Sequence, residues 1–251
     1  MSLQYSNDIL IKHFLATRPW LKRPSKQSGR FSFYYTSPSY HFPLPVITQG
    51  ESDKIQFFNW GLIPSWVKTK DKAMAFSRKT LNAKAETIFK LPAYRSYITR
   101  KRCLIPATGF IEWHLKLGVK YPFLIQVKEQ RELAKLRSFC FGGIYSSWTD
   151  PETAQVWDTF SMITTTGNEI MAFLHNSNKR MPLILNSEAE QLWLNDDLTS
   201  EEINSLMKPY PDEQITAHTI SRRFIFKDVE PNVPETLMPF VYKNMDLHVE
   251  K

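Results

Sequence analysis

"KRCLIPATGFIEWHLKLGVKYPFLIQVK" (residues 101–128) is the stretch whose reading decides the fold. It holds two runs rich in β-branched and aromatic residues, "RCLIPATGFIEWH" and "KYPFLIQVK", with Gly118 marking a hairpin between them. Downstream, "SFCFGGIYSSW" and "DTFSMITTT" repeat the pattern. Upstream, "IQFFNWGLIP" reads as a buried strand with a turn at Pro64 leading to Trp66, and "GRFSFYYTSPSYHFPLPVIT" as strands joined by rigid turns. Helices are fewer. One is expected over residues 7–19, capped by Asn7 or Asp8 and stopped by Pro19, and another after Thr166. "SEAEQLWLN" and "TSEEINSLMK" each open with a Ser or Thr cap and Glu near the first turn. Short connections, with neither an internal repeat nor a low-complexity linker, predict one α+β domain over residues 1–251, mostly antiparallel, in which 231–251 wraps the surface.

Glu112 is the odd residue in this frame. Strand alternation puts Phe110, Glu112 and His114 on one face, Ile111 and Trp113 on the other. Entering an apolar setting, a carboxylate must be paired or change its protonation state. Two readings follow: Glu112 faces solvent at a strand end, or it is buried and used.

Composition narrows the function classes. Hydrophobic residues are 42% and charged residues 23%, an ordinary globular balance. The longest apolar runs are too short to span a bilayer, and no signal-peptide pattern opens the chain. Cys103 and Cys140 sit in apolar strand-like runs; two such thiols give neither a disulfide framework nor a zinc cluster, so a cytoplasmic setting is expected. Six scattered histidines lack metal-ligand spacing, and nucleotide-binding, zinc-protease and serine-hydrolase motifs are absent, so neither metal nor cofactor is expected. The net charge of +7 is concentrated: eleven basic and two acidic residues between Lys68 and Arg102 give that segment +9. Trp60, Trp66, Phe76, Phe89, Tyr94 and Tyr97 lie in or beside it, an interleaving that suits single-stranded nucleic acid; a solvated basic surface over buried aromatics is the plainer reading.

Six pieces, in order, carry a resemblance: "WGLIPSW" (60–66), "LNAKAET" (81–87), "KRCLIPATGFIEWH" (101–114), "YPFLI" (121–125), "MITTTGNEIMAFLHNSNKRMPLIL" (162–185) and "HTIS" (218–221). Together they resemble the SOS response-associated peptidase (SRAP) family of abasic-site processing proteins. The resemblance implies a barrel-like, bifurcated sheet with flanking helices. It also implies a groove for single-stranded DNA carrying an abasic site, and a protein expected to act as a monomer. In the family an N-terminal cysteine, exposed by removal of the initiator methionine, forms a Schiff base with the sugar aldehyde and closes it to a thiazolidine. Carried over, the resemblance gives Asn82 as orienting group, Glu112 as the carboxylate that handles the α-amine and its proton, and His175 as general acid or base on the sugar oxygens. Pro38, Trp66, Lys84, Thr164 and Arg180 would contact DNA, with Lys84 standing where many members have arginine.

The sequence departs from the family at its start. Position 2 is Ser2 in place of cysteine, and position 4 is Gln4 in place of arginine. Either an added leader replaces a native Met-Cys start, or the chain is a diverged member without the thiol. A serine hydroxyl is a far weaker nucleophile than a thiolate, so Ser2 is expected to support at most a reversible imine. "HNSNKRMP" is also longer than the usual spacing between His and Met-Pro. Three functions stay open: covalent capture of abasic sites with lyase and self-release activity, non-catalytic single-strand DNA binding, and a peptidase acting in trans.

Overall fold

The structure, a computed structural model, describes residues 2–5, 18, 21, 33–38, 42–128 and 138–243. In chain order the first elements are β1 (Ser2–Tyr5), β2 (Phe33–Thr36), β3 (Leu44–Thr48), β4 (Glu51–Trp60), α1 (Lys70–Lys79), β5 (Asn82–Lys84), β6 (Arg102–Ala107) and β7 (Gly109–Lys116). Then come β8 (Val119–Val127), β9 (Phe139–Thr149), β10 (Val156–Thr166), α2 (Glu169–Leu174), β11 (Arg180–Pro182), β12 (Ile184–Leu185), α3 (Ser187–Trp193), α4 (Ser200–Leu206) and β13 (Ile215–Thr219). Of the helix expected over residues 7–19, the structure describes Arg18 alone; the rest lies outside the described residues.

Five strands close on themselves in the order β10-β4-β3-β6-β9, with β9 pairing back to β10. Every pairing in the ring is antiparallel except β10 with β4. Strand alternation sends Cys103, Ile105, Phe139 and Phe141 into one core cluster, and Leu104, Cys140 and Ile144 into another. Both faces are buried, which is why these strands read as continuous apolar runs. Gly143 permits a close approach of β9 to β10, since a Cβ there would lie 2.9 Å from the Ser161 carbonyl oxygen. A second sheet runs β13-β8-β7-β1-β2. The α+β domain with a barrel-like, bifurcated sheet and a few helices is thus present.

The fork lies inside the stretch that decided the fold. "RCLIPATGFIEWH" is not one strand but two, with Thr108 alone between them, β6 in the ring and β7 in the second sheet. The alternation slips there: Ala107 and Phe110 pack into the same cluster although three residues apart. At the expected hairpin, Leu117 (φ 49°) and Gly118 (φ 78°) both turn left-handed, the geometry that matches strand twist across a two-residue loop.

Other expectations shift. β4 is buried at Phe58 and Trp60, while Glu51, Ser52 and Lys54 are exposed. α1 was not anticipated: Thr69 caps it and Ala73 is its buried residue, too thin an apolar stripe to read from sequence. α3 is capped by Asn186 rather than by Ser187, whereas α4 has the full capping box of Thr199 and Glu202. Arg102 is fully buried, donating to the carbonyls of Trp193, Ile98, Thr99 and Asn195, so it adds nothing to the basic surface. Both cysteines are buried and burial pushes both thiols up, which makes them inert. Residues 231–243 run against β2 and β13, through Asn232 accepting from Tyr34 N–H (2.7 Å) and Phe240 N–H donating to Thr219 (2.8 Å). Among the described residues no helix is long and apolar enough to cross a membrane.

Candidate functional site

Near the fork, β5, β7, β11 and the segment leaving α2 line a cavity of about 580 Å³. Asn82, Lys84, Glu112, Thr164, His175 and Arg180 all line it. Six residues expected from distant parts of the sequence therefore share one space.

Glu112 comes from the middle of β7 and is 6% exposed, so the solvent-facing reading does not hold. Its Oε2 lies 3.8 Å from His175 Nδ1, beyond hydrogen-bond reach. His175 ends α2 as its C-cap, and its backbone N–H bonds to Met171. The ring Nδ1 lies 3.1 Å from the Arg180 carbonyl oxygen. A carbonyl only accepts, so Nδ1 carries the proton and Nε2 remains for acid–base work. His114, on the Glu112 face, points inward rather than to water: it is 6% exposed and its Nδ1 lies 2.9 Å from the Phe173 carbonyl oxygen.

Asn82 and Lys84 are held by backbone. β5 pairs in parallel with β10, Met162 N–H donates to Leu81 (3.0 Å) and Ala85 N–H to Thr164 (2.9 Å). Trp60 Nε1 donates to the Leu81 carbonyl (2.8 Å) and Tyr94 OH to that of Asn82 (3.3 Å). Ala83 between them is buried, so Asn82 and Lys84 are turned outward together. Arg180 opens β11, whose register sets it opposite Thr166. Its guanidinium donates to Thr164 Oγ1 (3.2 Å), to the Thr164 carbonyl (2.7 Å) and through both terminal nitrogens to Glu86 (3.0 and 2.9 Å). That bidentate contact holds the Glu86 carboxyl below its usual range.

β1 brings the chain start to the same place. Its register sets Ser2 opposite Ile111, the residue before Glu112. Trp66 and Pro38 do not line the cavity; Trp66 is half-exposed, with its ring edge-on to Phe76 at 5.2 Å. The cavity adds Trp113, Leu115, Lys120, Ser177 and Asn178, which sequence reasoning passed over. The extra length of "HNSNKRMP" was the available signal for the last two.

A closed barrel forked into a second sheet is an architecture seen in solved structures. A protein from Bacteroides thetaiotaomicron superposes with a TM-score of 0.86 at 36% identity, covering 96% of this chain and 99% of that one. A Bordetella bronchiseptica protein shares the fold at a TM-score of 0.70 and 19% identity, over 88% of this chain and 99% of that one. The chain belongs to the SOS response associated peptidase (SRAP) family, which it matches over residues 3–225. It is 34% identical over 206 residues to the abasic site processing protein YoqW of Bacillus subtilis, covering 81% of this chain and 84% of that protein. It is also 31% identical over 196 residues to the abasic site processing protein HMCES of Gallus gallus, covering 72% and 56% respectively.

Proposed function

We propose that the protein processes abasic sites in DNA, holding a single strand across the cavity and reacting with the lesion through the α-amine of residue 2. The observation that carries this reading is the β1–β7 register, which sets Ser2 beside the strand position of Glu112, itself 3.8 Å from His175. The names of the relatives and the charged rim of Lys84 and Lys120 support the same substrate.

The chemistry follows from these groups. His175 moves a proton between the sugar ring oxygen and O1′, opening the lesion to its aldehyde. An α-amine titrates near ~8, so a carboxylate that accepts its proton raises the nucleophilic fraction at neutral pH. The amine nitrogen bonds to C1′, its proton passes to the resulting hydroxyl, and water leaves to give the imine. Asn82, with donor and acceptor, orients the amine without altering the charge. With cysteine at position 2 the thiol sulfur adds to C1′, its proton goes to the nitrogen, and a thiazolidine links protein to DNA. With Ser2 no thiazolidine closes, so the covalent link goes no further than a reversible imine. That imine acidifies C2′, so proton removal there expels the 3′ phosphate as in a lyase, and water reverses the link.

The test is a denaturing gel of the protein, with Met1 removed, incubated with single-stranded DNA bearing one abasic site, beside Ser2→Cys. A heat-stable shifted band from Ser2→Cys, and a borohydride-dependent one from Ser2, are expected. No band from either form sinks covalent capture and leaves non-catalytic DNA binding in front.

A further inference from the structure

Glu112 and His175 sit on separate elements, and nothing in either element alone fixes the distance between them. Two straps join them. His114, two residues after Glu112, meets the Phe173 carbonyl oxygen through its ring (2.9 Å), two residues before His175. Asn176, the residue after His175, clasps the next β7 residue: Leu115 N–H donates to its Oδ1 (3.0 Å) and its Nδ2 donates to the Leu115 carbonyl (2.8 Å).

The clasp has the form of strand pairing. A side-chain amide carries one donor edge and one acceptor edge in a plane, as a peptide unit does. β1 covers the edge of β7 at Gly109–Ile111, and Asn176 takes the same edge at Leu115, beyond where β1 begins. The span of β7 edge between Ser2 and Asn176 therefore holds Glu112 and opens to the cavity. The segment after Asn176 is stapled at its base, with Lys179 N–H on the His175 carbonyl (2.8 Å) and Gly167 N–H on that of Lys179 (2.8 Å). Lys179 itself is left-handed (φ 51°).

We infer that Asn176 is a positioning residue, which docks the extra residues of "HNSNKRMP" onto β7 and thereby sets the His175 ring against Glu112. The inference rests on the function proposed above, and deepens it. An aspartate at 176 would keep the acceptor for Leu115 N–H but face the Leu115 carbonyl with a carboxylate oxygen; alanine would lose both bonds.

Two measurements decide it. The first is the adduct-forming rate at saturating abasic DNA in the Ser2→Cys background. Asn176→Ala is expected to lower it about 10- to 100-fold, with DNA Kd unchanged within about two-fold. Asn176→Asp should fall between, and Asn176→Ala should add nothing to His175→Ala. An unchanged rate, or full additivity with His175→Ala, overturns the inference. The second is the ring ¹⁵N signals of His175 without DNA, with those of His218 as internal reference. They should move in Asn176→Ala while those of His218 stay; unmoved His175 signals overturn the inference. If the Ser2→Cys parent itself makes no adduct, the proposed function fails while the ring signals still decide the role of Asn176.

Discussion

In the closed ring each strand is hydrogen-bonded on both sides, whereas in the second sheet β7 is covered by β1 only at Gly109–Ile111. The two regions use similar residues, yet one closes on itself and the other keeps part of an edge beside a cavity. The ring supplies Asn82, Lys84, Thr164 and Arg180 through the backbone pairings of β5, β10 and β11. The second sheet supplies Glu112, and α2 brings His175 to it through side-chain contacts with backbone. Rigidity and access are divided between the two regions: the closed ring fixes Asn82, Lys84, Thr164 and Arg180 through backbone pairing, and an incompletely paired strand places Glu112 at the open side of the cavity.

The comparison breaks most visibly in the ring. Trp193 is fully buried against it and donates to the Cys103 carbonyl (3.1 Å), so Trp193→Ala should cost about 3–5 kcal/mol in denaturant unfolding. Glu112→Gln should do the reverse, leaving stability nearly intact while slowing adduct formation by about 10²–10³-fold in the Ser2→Cys background. A Glu112→Gln protein that reacts normally would remove the carboxylate from the chemistry. Smaller effects sharpen the contrast. Leu117 is left-handed and almost wholly exposed, so Leu117→Asn should stabilise the β7–β8 hairpin by about 0.5–1 kcal/mol, read as a raised Tm.

The smallest effect is electrostatic. Arg180 lowers the Glu86 carboxyl below its unfolded value, so the pair stabilises the fold above about pH 4.3 and loses that contribution as pH falls through the lower folded value. Glu86 is half-exposed, which limits the gain to about 0.2–1 kcal/mol. In Glu86→Gln this part of the pH dependence of unfolding should vanish; a full-size acid loss in that variant would place it elsewhere.

Much of the ring was legible because its strands are apolar on both faces, and burial on both faces needs no phase to be recognised. The fork was not, because it depends on a one-residue slip at Thr108–Gly109 between two runs of the same composition. α1 escaped because its charged residues leave a single buried position, Ala73. The short β5, β11 and β12 exist only as partners of longer strands, so no local pattern announces them. For the site, Asn82, Glu112, Thr164, His175 and Arg180 could be named from the sequence through a family likeness. Neither the Glu86 partner of Arg180 nor the Asn176 clasp could be named, since both link residues more than sixty positions from each other or depend on an extra loop length.

By itself the sequence determined the residue types, the strand and helix stretches whose own periodicity suffices, the basic block and the want of a disulfide framework. Only the tertiary structure decided that Glu112 is buried beside His175, that Arg102 leaves the basic surface for the core, and that residue 2 begins opposite Ile111. The reason is physical. Local pattern reports which face of one element is apolar, whereas these three outcomes depend on which other element covers that face, and that is settled by pairing and packing across the whole chain.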